Sequence, residues 1–172
     1  MHTLKITRRP MMFLTAFFLF MAPLFVQAAP VQEEAKELQE HYAHMDQAFK
    51  DKKIDVMASM ITEDFKFETK DGKSLDHKQT LQLTEQLFAA LQTVHESVSK
   101  VEKVEEGETA TTLIATVKQT VKATISGQDG KPHELVVVTI SKDHWVATDD
   151  GWKLKSTKTI EETSTVDGKP GQ

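Results

Sequence analysis

Thr111–Ile125 reads TTLIATVKQTVKATI, and its alternation decides the fold. Leu113, Ala115, Val117, Val121, Ala123 and Ile125 fall on one face of an extended chain. Thr112, Thr116, Lys118, Thr120 and Lys122 fall on the other. A period of two marks a strand with one covered face. The other face, rich in threonine over 109–124, is open to solvent or to a second copy. Working outward, Val94–Glu105 has the same period and ends in a turn at Glu106-Gly107-Glu108. On the other side a turn over 127–131 leads into Leu135–Thr148, and Asp149-Asp150-Gly151 leads into Trp152–Glu162. Turns this short join neighbouring strands, so the expectation is an antiparallel meander. Residues 163–172, TSTVDGKPGQ, carry no pattern and read as a flexible C-terminal tail.

Ahead of the strands the period changes. Val31, Ala35, Leu38, Tyr42, Met45 and Phe49 are spaced three or four apart, one stripe of a long amphipathic helix. After the polar turn Asp51-Lys52-Lys53, Asp55 can cap a short second helix reaching Ile61. Phe65-Lys66-Phe67 alternates as a strand, with Asp71-Gly72 supplying a hairpin turn. Asp76 followed by Gln79 has capping-box spacing for a third helix, whose apolar side carries Leu83, Leu87, Phe88 and Leu91. Three helices followed by strands give an α+β domain over 29–162, the helices packed on one face of a strongly curved antiparallel sheet. Such a sheet leaves a pocket at its open end.

The N-terminus reads as a cleavable signal peptide over 1–28. Lys5, Arg8 and Arg9 precede the apolar run Met11–Val26, and Val26-Gln27-Ala28 has the small-residue pattern of a cleavage site between Ala28 and Ala29. That run of about 16 residues is shorter than the roughly 20 that span a bilayer as a helix. The expectation is therefore export to the periplasm or beyond the cell, with no stable membrane anchor after cleavage. Arg8-Arg9 leaves both the general and the twin-arginine route open. With no cysteine in the chain, a lipid-anchored cysteine and disulfides are excluded. Removing three of 21 basic residues and none of 26 acidic ones leaves 18 against 26, a charge of −8. An acidic surface of this kind does not favour nucleic acid.

The element order, Thr62-Glu63-Asp64-Phe65-Lys66-Phe67, and the ending Asp143-His144-Trp145 … Asp150-Gly151-Trp152-Lys153-Leu154 together resemble the nuclear-transport-factor-2-like superfamily over nearly all of 31–162. That group includes ketosteroid isomerases and SnoaL-like cyclases. The resemblance implies a cone with a central cavity, often a homodimer through the outer sheet face. It implies no single chemistry, because its members include enzymes, binders and assembly modules. The isomerase tyrosine falls on Met45, its carboxylate base on Thr69, and only its late acid has a counterpart, Asp143. Tyr42 lies one turn before Met45 on the same stripe. The isomerase set is therefore incomplete.

The expected ligand pocket is walled by Tyr42, Phe65, Phe67, Phe88, Trp145 and Trp152, with Gln119 and Asp143 as polar contacts. The same aromatics would also serve a filled core. Asp143 either faces a ligand as a buried acid or pairs with a lysine such as Lys142 or Lys155. Gln119 interrupts an apolar face and meets either a ligand or a neighbouring side chain. His41 and His44 are three apart beside Glu37 and Glu40, but no third ligand is local, and no metal or other cofactor is expected. The functional expectation is an exported domain binding a small, partly apolar molecule or acting as an interaction module. The alternatives are a SnoaL-like enzyme using Asp143 with His95 or Tyr42, and a homodimeric scaffold.

Overall fold

The computed structural model describes residues 29–127 and 129–170. The expected signal segment, with Ala28 on one side of its cleavage point, lies outside them. No helix among the described residues is long and apolar enough to cross a membrane.

The chain begins with helix α1 (Ala29–Lys50), a turn, and short helix α2 (Ile54–Ser59). Strand β1 (Ile61–Glu68) and β2 (Ser74–Asp76) form a hairpin, and α3 (His77–Ala90) follows directly. Four long strands complete the sheet: β3 (Leu91–Glu106), β4 (Thr112–Ser126), β5 (Pro132–Thr148) and β6 (Gly151–Val166), with a two-residue β7 (Lys169–Pro170). The sheet order is β2-β1-β6-β5-β4-β3, with β7 paired to the C-terminal end of β6. The architecture is the expected α+β cone, helices against one face of a curved, unclosed sheet.

Local rules explain the boundaries. Asp76 accepts from the Gln79 backbone N–H at 2.8 Å, and Gln79 Oε1 accepts from the Asp76 N–H at 3.0 Å, so the capping box of α3 forms as its spacing predicts. Gly151 sits at φ +97 and closes the β5–β6 turn, a conformation that strains any residue with a Cβ. In β4, Leu113, Ala115 and Val117 are buried in one cluster around Trp145 and Leu38, the two largest side chains with no exposed surface.

The structure differs from the sequence expectation at the short helix, where Asp55 lies inside the first turn and Lys53 holds the cap position, in the sheet pairing and at the C-terminus. The strand after α2 begins at Ile61, so the short helix ends earlier than the spacing implied. β1 pairs with β6 in parallel, making the sheet mixed rather than purely antiparallel. Nothing local encodes that pairing, because its partners are some ninety residues apart. Finally, residues 163–166 are not tail but the end of β6, paired with Leu135–Val138, and Lys169–Pro170 turn back onto Thr165 and Val166. His133 secures this return, since its two ring nitrogens meet Asp167 at 2.6 Å and Asp129 at 3.1 Å.

Candidate functional site

The inward-facing residues of β5 descend in one column: Leu135, Val137, Thr139, Ser141, Asp143 and Trp145. Opposite them on β6 stand Glu162, Thr159, Thr157 and Leu154, in register with Thr139, Ser141, Asp143 and Trp145. Period two therefore puts hydroxyls and carboxyls where an ordinary core strand would carry aliphatics. Above this column α3 stands away from the sheet, leaving Leu83 and Leu87 more than two-fifths exposed. A cavity of about 350 Å³ lies between them, open at the α3 side. Its walls are mainly apolar: Val117, Val121 and Val137 from the sheet, and Met45, Phe49 and Leu87 from the helices.

Trp145 is buried beneath the cavity floor, and upon it sits a three-member hydrogen-bond chain. The indole Nε1–H of Trp145 donates to the Tyr42 hydroxyl at 2.9 Å, and that hydroxyl donates to Asp143 Oδ2 at 2.5 Å. The Tyr42 and Trp145 rings meet edge-to-face, centroids 5.2 Å apart. Asp143 is only 4% exposed, and its Oδ1 is buried without a hydrogen-bond partner. Burial pushes the Asp143 carboxyl above the usual carboxylate range, and the nearby hydroxyls of Tyr42, Ser141 and Thr157 pull the other way. The Ser141 and Thr157 hydroxyls lie close enough to ease the charge, yet neither meets Oδ1 in hydrogen-bonding geometry. Burial likewise pushes Tyr42 well above its ordinary value, reinforced by the Asp143 charge beside it.

Of the expected pocket residues, Tyr42, Phe67, Gln119 and Asp143 line the cavity. Phe65, Phe88, Trp145 and Trp152 do not. Phe65 and Trp145 are buried in the core beneath the cavity floor. Trp152 packs against the same cluster at the narrow end, its indole N–H donating to Glu37 at 3.2 Å. Phe88 turns to Phe49, with ring centroids 5.1 Å apart. Phe65 and Trp145 do face inward, but into the closely packed cluster around Leu38, while Phe88 is buried against Phe49 instead. Asp143 pairs with neither Lys142 nor Lys155; Lys155 meets Asp64 instead at 2.9 Å. His95 bonds Thr124 Oγ1 at an exposed position and does not reach the cavity.

Gln119 has a protein partner as well as a cavity face. Its amide nitrogen lies 3.3 Å from Asp46 Oδ1. Asp46, buried on α1, also accepts from the Ser99 backbone N–H at 2.6 Å and from the hydroxyls of Ser97 and Ser99. Thr139, Ser141, Thr157 and Thr159 also line the cavity and are not among the residues the sequence singles out. Their signal was available: a polar run of period two in line with Asp143.

No protein-family model matches the chain, and no curated protein matches it in sequence. Solved structures do match. The Kfla4162 protein from Kribbella flavida superposes with a TM-score of 0.61 at 14% identity, covering 74% of this chain and 90% of that one. A type 2 hexachlorocyclohexane dehydrochlorinase, LinA, gives 0.55 at 12% identity, covering 77% and 90%. A nuclear-transport-factor-2-like protein from Cytophaga hutchinsonii gives 0.52 at 11%, covering 74% and 96%. The chain therefore has the nuclear-transport-factor-2-like fold, with a cavity at the open end of its cone. At these identities the likeness extends to the fold and not to any reaction.

Proposed function

We propose that the chain binds a small, largely apolar molecule in this cavity, with the Asp143 carboxyl as its polar anchor. The observation that supports the reading is the unpartnered Oδ1 of a buried carboxyl on the wall of an apolar cavity. A buried polar atom without a partner costs on the order of 1–3 kcal/mol, which a ligand contact removes. The cavity volume, about 350 Å³, falls at the small end of ligand sites. We place this activity outside the cytoplasm, on the strength of the N-terminal segment; a mature N-terminus at Ala29, read by sequencing the protein recovered outside the cytoplasm, is the expected result.

The test is a thermal-shift and calorimetric screen of small molecules against the protein and a cavity-filling variant, Val121→Trp. Ligands should stabilise the protein and lose at least about tenfold in affinity for the filled variant. A broad screen in which no molecule shows that difference overturns the reading.

A second reading rests on the place of Asp143, buried and lining the cavity with its pKa raised by burial: a carboxyl so placed can exchange a proton with a bound substrate. Under it, Asp143→Asn abolishes turnover of a ligand found by the screen while leaving its binding in place. Unchanged turnover removes that reading.

A further inference from the structure

We infer that the cavity's ligand is an organic cation, an amine whose ammonium seats on Asp143; this rests on the binding reading above and names its chemical class. The lining carries two carboxyl groups, Asp143 and Glu162, and among the described residues no lysine, arginine or histidine. The neighbouring cations are turned outward. Lys142 and His144 flank Asp143 on the opposite face of β5 and are exposed, and Lys155 is engaged by Asp64. Among the described residues, Asp143 thus has no salt-bridge partner. A carboxylate ligand would meet only like charge in this cavity, so anions are excluded first.

The choice between a neutral and a cationic ligand turns on the acceptors around the anchor. An ammonium has three donors and no acceptor. Tyr42 occupies Oδ2, which fixes the carboxyl and leaves Oδ1 as the free atom. Ser141 lies two residues along the same strand, and Thr157 stands directly opposite Asp143 in register. Asp143, Ser141 and Thr157 all line the cavity, so the carboxyl and the two hydroxyls offer acceptors on the inward face of β5 and β6. A neutral acceptor such as a ketone would use one contact and leave the rest of this polar column unmatched. Above it, Val117, Val121 and Leu83 offer aliphatic surface to an alkyl stem. Glu162 faces Thr139, four β5 positions from Asp143, or roughly 13 Å at about 3.3 Å per residue. It is exposed at the rim, where it draws cations and repels anions.

The titratable groups facing the cavity are Tyr42 from α1, Asp143 from β5 and Glu162 from β6; α3, β3 and β4 contribute only neutral side chains. An amine binds the ionised carboxyl, so its affinity rises with pH through the raised Asp143 pKa, and below that value binding releases a proton. A neutral acceptor bound to the protonated acid shows the opposite slope.

The experiment is isothermal titration with hexylamine, hexan-1-ol and hexanoate, in buffers of different ionisation enthalpy between about pH 5 and pH 8. Hexylamine should bind at least about tenfold more tightly than hexan-1-ol. Hexanoate should not bind. Asp143→Asn should bring the amine down to the alcohol's affinity. Where that variant does not fold, Thr157→Val replaces it, with an expected amine loss of about fivefold and no loss for the alcohol. If the alcohol binds as tightly as the amine, or amine affinity falls with rising pH, the cation assignment is overturned while the binding reading stands. If none of the three probes binds, the cation assignment is likewise overturned, and the broad screen with Val121→Trp then decides the binding reading alone.

Discussion

Tyr42→Phe isolates the hydrogen-bond chain on which the site is built. The substitution keeps the ring that packs edge-to-face against Trp145 and removes only the hydroxyl. Two partners are then stranded. The Trp145 indole N–H, in a side chain with no exposed surface, loses its acceptor at 2.9 Å. Asp143 Oδ2 loses its donor at 2.5 Å, leaving both carboxyl oxygens without a protein partner in hydrogen-bonding geometry. A stranded buried polar group costs about 1–3 kcal/mol. The carboxyl recovers part of its share by holding its proton, so the expected total is about 2–4 kcal/mol, against a stability of roughly 5–15 for a domain. Urea unfolding at pH 7, followed by circular dichroism, measures it through a lower midpoint at unchanged slope. In a Trp145→Phe background the same change should cost about 1 kcal/mol less, because the stranded donor is gone. A loss below about 0.5 kcal/mol, or an equal loss in both backgrounds, would refute the chain as drawn.

Three further outcomes follow from the same geometry. Burial raises the Asp143 pKa, so its contribution to stability is complete below the unfolded value of about 3.9 and is lost as pH rises through the folded one. Asp143→Asn should therefore gain on the parent as pH rises from about 4 to about 8 in thermal unfolding; parallel curves would contradict it. Asp167 and Asp129 raise the His133 pKa, so this clasp holds fully below about pH 6.5 and loosens as pH rises through the raised value. Amide exchange at Glu134 and Asp167 should then accelerate beyond its intrinsic pH dependence, and His133→Gln should remove that excess. The Gln39 side chain bonds Ser99 O at 2.7 Å and the Val101 N–H at 2.9 Å, closing the outer edge of β3. Gln39→Ala opens that edge, and sedimentation velocity should show self-association that the parent lacks.

The fold was legible because its signals are local. The stripe on α1, the box at Asp76 and Gln79, and the alternation from Val94 onward each act within a few residues. The parallel β1–β6 pairing was not legible, since it joins Phe67 to Thr157 across most of the chain. The site was half legible, for a related reason. Period two correctly turned Phe65, Phe67, Trp145 and Asp143 inward, but it says nothing of depth along the cone. Depth is set by where α1 and α3 part from the sheet, a tertiary property. Phe65 and Trp145 went where the elements converge, while Tyr42 and Phe67 share the lining with valines, threonines and methionines. The end of β6 over 163–166 is not legible in sequence because Thr163-Ser164-Thr165 lacks an apolar face, yet β5 runs on beside it and pairs its backbone.

The first helix ties these features into one device. Leu38 and Tyr42 bury one turn apart in the core, while Gln39 and Asp46, on the flank of the same stripe, fasten to Ser99 and Val101 of β3. The clamp at the sheet edge therefore fixes the axial position of α1, and with it the reach of the Tyr42 hydroxyl to Asp143. A carboxyl buried with one free oxygen is a poor choice for a core, where leucine or asparagine fills similar space without the cost of charge. Conflicts of this kind between a residue and its surroundings concentrate at functional sites. Here the surroundings are built to hold the conflict in place rather than relieve it: Trp145 supports Tyr42, Tyr42 fixes Oδ2, and Oδ1 is left without a partner in a residue that lines the cavity. Under the binding proposal, a ligand relieves that conflict, and the lining around Asp143 narrows what the ligand can be.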